Sequence, residues 1–160
     1  MLADEGIVGM IMNGGGPPAV SPHGGAEAML GSNPICFAFP TSDGPLVIDF
    51  STGTRVWGEI RQATLENREL PDGVFLDQDG DFTTDPEEAA AVIPFGGPKG
   101  YALCLALEIL SGALVSAKMG PRVDSQFDIG FLAIGISPGS FGVQDSMKAE
   151  ILELLTTVRN

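Results

Sequence analysis

The stretch from Tyr101 to Ala117 is the most apolar in the chain, and its one charged member is Glu108. Such a run must be covered, and whatever covers it shapes the fold. It falls short of a membrane span, which needs about 20 predominantly apolar residues, and Glu108 interrupts it. It predicts a buried helix. Gly96-Gly97-Pro98-Lys99-Gly100 stands directly before it, a loop whose glycines let the backbone approach a ligand closely. The helix that follows offers unpaired N–H groups and a positive dipole end, and Lys99 adds a full charge. A phosphate or carboxylate suits that place as well as a plain helix start with a surface lysine does. The spacing is not that of a Walker loop, which also carries Ser or Thr after its lysine.

Short apolar segments precede and follow this run. Gly6 to Met12, Ile35 to Phe39, Leu46 to Phe50 and Phe131 to Ile136 read as strands. Asn13 to Pro18 and Thr41 to Gly44 are punctuated as loop and turn. Arg55 to Leu65 has the composition of a helix beginning, and Asp79-Gly80 that of a hairpin turn. Thr84-Asp85-Pro86-Glu87-Glu88 reads as a helix start, with Thr84 or Asp85 as cap and Pro86 in the first turn. Asp145 to Arg159 is amphipathic, with Met147, Ile151, Leu154, Leu155 and Val158 on one face. Interleaved strands and helices define an α/β class, and 160 residues suit a single domain over 1–160. Leu2 to Gly6 has the form of a last helical turn ending at glycine, which predicts that a segment normally precedes it.

Composition narrows the function. With 21 acidic and 8 basic residues the formal charge is −13, which argues against nucleic acid and against an anionic membrane surface as partners. Cys36 and Cys104 make no disulfide framework, and buried free thiols fit a reducing cytoplasm. The N-terminus has neither a basic n-region nor a long apolar h-region, so no secretory signal is expected.

Several tempting motifs fail on their own requirements. Gly14, Gly16 and Ala19 fit G-x-G-x-x-A after a strand, but Pro17 and Pro18 stand where a helix should present N–H donors. No acidic residue closes a second strand about twenty residues on. Asp77, Asp79 and Asp81 surround Gly80, yet Phe75 occupies the position where a calcium loop needs a carboxylate, so a solvated hairpin is expected. His23 is the only histidine and lies in a glycine-rich loop. With no second histidine and no Cys/His cluster, no zinc site is expected. No G-x-S-x-G elbow is present. Asp49-Phe50-Ser51-Thr52-Gly53 ends an apolar strand, where α/β folds commonly face a ligand, though Asp49 and Ser51 could equally bond their own backbone.

Four segments taken in order resemble the type-2 malate/L-lactate dehydrogenase family. They are Ser21-Pro22-His23-Gly24-Gly25 with Leu30-Gly31-Ser32-Asn33-Pro34; Ile48-Asp49-Phe50-Ser51-Thr52 with Trp57-Gly58; Thr83-Thr84-Asp85-Pro86; and Gly96 to Leu103 running into Glu108-Ile109-Leu110-Ser111-Gly112. The resemblance covers most of residues 6 to 140. It implies an α/β, mixed-sheet, non-Rossmann NAD(P)-binding domain, in agreement with the failed dinucleotide fingerprint. It implies NAD or NADP as cofactor, lined by Asp49, Phe50 and Ser51 and contacted by Lys99 and Gly100 at the helix start. Ser32 stands where threonine is usual, close to a 2-hydroxy or 2-oxo acid substrate, and Val56 and Trp57 fall in a segment that lines the substrate pocket. Glu59 occupies a position where some members orient the catalytic histidine and others carry lysine. Gly14 replaces a polar residue that often contacts the cofactor.

The resemblance also implies what is expected outside these residues. The family's catalytic histidine follows a serine in an N-terminal segment that would precede Met1, and members are roughly twice as long. A further C-terminal part is expected too. His23 does not inherit the catalytic role. A homodimer acting on a small hydroxy or oxo acid is expected, with hydride transfer supplied by the cofactor and orientation by the protein. The competing expectation is a truncated, non-catalytic relative that binds nucleotide or only associates with itself.

Overall fold

The computed structural model describes residues 1–159, the side chain of Asp145 excepted. Its chain order is β1 (Val8–Asn13), β2 (Ile35–Phe39), β3 (Leu46–Phe50), α1 (Gly58–Glu66), β4 (Phe75–Leu76), β5 (Phe82–Thr83), β6 (Ala91–Val92), α2 (Pro98–Ser111), β7 (Phe131–Ile136) and α3 (Gln144–Arg159). The expected α/β class with non-Rossmann topology is what forms. The residues fall into two compact units, one of Met1–Ile11, Ile35–Phe50 and the chain from Ala133 onward, the other of Met12–Pro34 and Ser51–Leu132.

The four-stranded sheet has the order β3-β2-β1-β7, and β2 and β3 lie wholly in the first unit. Thr41 to Gly44 turns the chain, with Gly44 at φ 92, so that β2 and β3 pair antiparallel from Ile35 opposite Phe50 to Phe39 opposite Leu46. Phe37 and Phe39, two apart and hence on one face, stack at 6.4 Å. The opening segment forms a short 3-10 turn, Leu2–Glu5, closed by Gly6 at φ 76. The apolar face expected of α3 is only partly covered: Met147, Ile151 and Leu155 are half-buried, while Leu154 and Val158 stand open to solvent. Cys36 is half-buried rather than buried.

The second unit holds the better-packed core. Val20, Leu30, Ala63, Leu70, Val74, Phe75, Val92 and Cys104 cluster, with Ile60, Ala89 and Tyr101 against them. Phe75 is fully buried, which stabilises by roughly 1.5–3 kcal/mol relative to exposure. Its sheet, β5-β4-β6, is antiparallel in both pairings. Val20 extends the arrangement, bridging Leu30 antiparallel and Val92 parallel. The loop of Asp77 to Asp81 joins β4 to β5 as a hairpin; the Asp77 carboxylate accepts the N–H groups of Asp79 and Asp81 and is spent on its own backbone.

Two further expectations need correcting. Thr84 to Glu88 makes one turn, not a helix. Asp85 accepts the Glu87 N–H in the manner of a cap, but the chain straightens to supply β6 as the partner of β4. The apolar run is a helix, α2, yet it is buried along one side only. Cys104, Leu107 and Ser111 face inward, whereas Leu105, Ile109 and Leu110 are exposed. By length and hydropathy alone, residues Pro98–Val115 could cross a membrane. Glu108 sits in their midst, buried and hydrogen-bonded within the second unit, as a core helix allows.

Candidate active site

The segments carrying Ser32, Ser51, Lys99 and Gly100 belong to the second unit and are joined by backbone hydrogen bonds. The Thr52 N–H and its hydroxyl both donate to the Ser32 carbonyl, at 2.8 and 2.9 Å. The Thr52 carbonyl accepts the Phe95 N–H at 3.0 Å, and the Thr54 N–H donates to the Ile93 carbonyl at 2.9 Å. From Phe95 the chain passes through Gly96 and Gly97 into α2. Ser32, the residue after Asp49-Phe50 and the start of α2 are thereby tied through Thr52, a fully buried threonine.

The helix start combines a glycine cap, a proline and a lysine. Gly97 caps α2 at φ 60, a backbone conformation that favours glycine, and its N–H donates to the Pro94 carbonyl. Pro98 occupies the first helical position, where its missing N–H costs nothing. The first helical bond runs from the Tyr101 N–H to the Gly97 carbonyl. Helix geometry leaves the N–H groups of Lys99 and Gly100 without an intrahelical acceptor. Lys99 is exposed, the first turn has no acidic residue, and no salt bridge reaches Lys99 among the described residues. Gly100 is buried, and a Cβ there would collide with the Phe95 carbonyl, so its smallness is also needed for packing.

The other predicted residues are distributed. Asp49 and Phe50 are exposed at the end of β3 in the first unit. Val56 and Trp57 are 61% and 41% exposed in the approach to α1, with Trp57 at its N-cap. Glu59 lies in the first turn of α1, its carboxylate 3.9 Å from the guanidinium groups of both Arg55 and Arg68. His23 is exposed, with its imidazole against Gly97 at the head of α2. It borders a cleft of about 520 Å³ that also takes in Ser21, Phe82 and Pro94. No group of three metal-ligating side chains occurs among the described residues.

Sequence reasoning passed over Asn33 and Glu108. Asn33 is fully buried, and its amide nitrogen donates to Glu108 Oε2 at 2.5 Å and to the Cys104 carbonyl at 3.1 Å. The Gly120 N–H donates to Glu108 Oε1 at 2.6 Å. Cys104 lies in the same nest, where burial chiefly pushes its thiol above the usual range and the nearby Glu108 adds to that. The signal for Glu108 was present in the sequence, since a carboxylate inside an apolar helix must find donors. Nothing local identified the donors.

With this geometry in place, the chain can be set beside known proteins. It matches the malate/L-lactate dehydrogenase family over residues 1–160, and it belongs to that family. It is 37% identical to the malate/(S)-sulfolactate dehydrogenase of Methanothermus fervidus over 151 residues, 89% of this chain and 44% of that protein. It is 34% identical to the ureidoglycolate dehydrogenase (NAD(+)) of Escherichia coli O157:H7, covering 96% of this chain and 46% of that one. The solved sulfolactate dehydrogenase from Methanocaldococcus jannaschii superposes with a TM-score of 0.88 at 34% identity, over 99% of this chain and 48% of that chain. The chain thus spans less than half the length of these relatives, all of them oxidoreductases.

Proposed function

We propose that the chain supplies the cofactor platform of an NAD(P)-dependent oxidoreductase acting on a 2-hydroxy or 2-oxo acid. One observation carries the reading: the exposed Lys99, at a helix start free of acidic residues, is tied through Phe95 and Thr52 to Ser32. The donor set suits a dinucleotide, whose pyrophosphate is an anion for Lys99 and the first-turn N–H groups. Ser51 lines the same cofactor in this reading, and Ser32, Val56 and Trp57 face the substrate. Glu59 is assigned to orienting the family's histidine, and its two arginine neighbours compete for that carboxylate. When bound, the cofactor supplies hydride chemistry; the residues of this chain bind and orient it. A homodimer in the cytoplasm belongs to the same proposal.

The test is a fluorescence titration of the 160-residue chain with NADH and, separately, NADPH, beside the variant Lys99→Ala. Saturable binding is expected, weakened about tenfold in the variant, as the loss of one charge-assisted contact implies. A folded chain that binds neither nucleotide overturns the reading. The tighter of the two nucleotides identifies the cofactor.

A further inference from the structure

Glu108 is 6% exposed, and no salt bridge reaches it among the described residues. A buried carboxylate is costly unless its oxygens are hydrogen-bonded, and here Asn33 and the Gly120 N–H take one each. Asn33 itself sits at φ 36, in the left-handed region that asparagine enters more readily than most residues. Its Nδ2 holds α2 through Glu108 and the Cys104 carbonyl, and its Oδ1 accepts the Gly15 N–H at 2.9 Å. The amide therefore pins two separate segments, and Glu108 adds a third at Gly120.

What these bonds hold in place is the wall around Ser32. A Cβ on Gly15 would lie 2.6 Å from Ser32 Oγ and 2.5 Å from the Asn33 nitrogen, so the glycine loop is pressed directly onto this pair. A Cβ on Gly31 would lie 2.7 Å from Asn33 Oδ1, so the turn before Ser32 is equally tight. From its other side the Ser32 carbonyl is held by both donors of Thr52. An apolar side chain could fill the volume of Asn33. A polar network in its place sets geometry, because each bond works only at one distance and angle.

We propose that Asn33, anchored by Glu108, is the positioning residue of the ligand site, setting the Ser32 hydroxyl and the Gly14–Gly16 loop relative to the start of α2. The inference rests on the cofactor reading above. Asn33→Asp keeps the shape but sets an acceptor against both Glu108 and the Cys104 carbonyl, which turns the group away from its place. Asn33→Asp combined with Glu108→Gln returns a donor to that contact from the opposite side.

The experiment measures NADH affinity of the parent, both single variants and the double variant, in samples shown to be folded by circular dichroism. Amide exchange at Gly15 is followed in parallel. Asn33→Asp is expected to weaken NADH binding about tenfold, with the double variant recovering part of that loss, since the Cys104 carbonyl still lacks its donor. Exchange at Gly15 should quicken in Asn33→Asp, because a carboxylate turned away from Glu108 carries its acceptor off the Gly15 N–H, while Val92 in the core stays protected. Should Asn33→Asp not fold, Glu108→Gln alone is expected to show the same loss of affinity. Undiminished binding in the single variants overturns the positioning role alone, as does a double variant that recovers nothing. A folded parent that does not bind NADH overturns the cofactor reading, and the positioning role falls with it.

Discussion

Three consecutive glycines, Gly14, Gly15 and Gly16, should respond differently to the same substitution. A Cβ on Gly14 would find Ser111 Oγ at 3.7 Å and the Gly130 nitrogen at 3.9 Å, which is ordinary contact. Gly14→Ala should therefore be neutral or stabilise by up to about 1 kcal/mol, through the lost freedom of the unfolded chain. A Cβ on Gly15 would lie 2.5 Å from the Asn33 nitrogen, so the loop must retreat by roughly half an ångström. Neither wall yields easily, since Asn33 is bonded to α2 and Ser32 to Thr52. Overpacking of this kind costs about 1–3 kcal/mol, or roughly 2–12 °C in Tm for a chain of this size. Gly16 has space but sits at φ 85, so Gly16→Ala should cost about 1–2 kcal/mol through backbone strain. Urea and thermal unfolding followed by circular dichroism measure all three. A Gly15→Ala chain as stable as Gly14→Ala would refute the close approach of this loop to Ser32 and Asn33, and with it the clamp inferred above.

Two titrating features give further expectations. In the folded chain a thiol reagent should label Cys36, half-buried on β2, and spare Cys104, which is fully buried until the chain unfolds. Burial raises the Cys104 thiol above its ordinary 9.0, so the folded state keeps a proton that the unfolded state gives up. The associated stability is complete below pH 9.0 and lost as pH rises through the folded value; unfolding by urea across that range measures it, and a flat profile would contradict the burial. At the surface, the Lys118 ammonium holds the Asp124 carboxyl below its ordinary 3.8, so that contact is complete above pH 3.8 and lost as pH falls through the folded value. Its loss on acidification should loosen the 118–128 loop, read as faster amide exchange at Asp128 than at core residues, and Lys118→Gln should show the same loosening at neutral pH.

The strands were legible because their signal is local. Ile35–Phe39, Leu46–Phe50 and Phe131–Ile136 form where alternation and turn residues placed them. The turn at Thr84 to Glu88 was misread for the converse reason. Asp85 makes the bonds of a helix cap, and only the demand of β4 for a partner at Ala91–Val92 ends the turn. The apolar run predicted a buried helix, but periodicity could not say which side of α2 the core would cover, and Leu105, Ile109 and Leu114 remain open.

The site divides along the same line. Ser32, Ser51, Lys99 and Gly100 stand in motifs that a family resemblance reaches residue by residue. Asn33 stands in one of those motifs too, yet its role depends on Glu108, 75 residues away, and no local pattern encodes that distance. Each sign was visible singly: a carboxylate without partners in an apolar helix, a triple-glycine loop, an asparagine between serine and proline. They became one arrangement only where α2, the glycine loop and the Ser32 turn meet. There, Asn33 links the two segments with a single amide, and Gly15 is the residue that lets them approach. A ligand contact made by a side chain as short as serine can be no more accurate than the backbone beneath it. In the proposed site, the groups that fix the Ser32 backbone therefore count as much as the hydroxyl does.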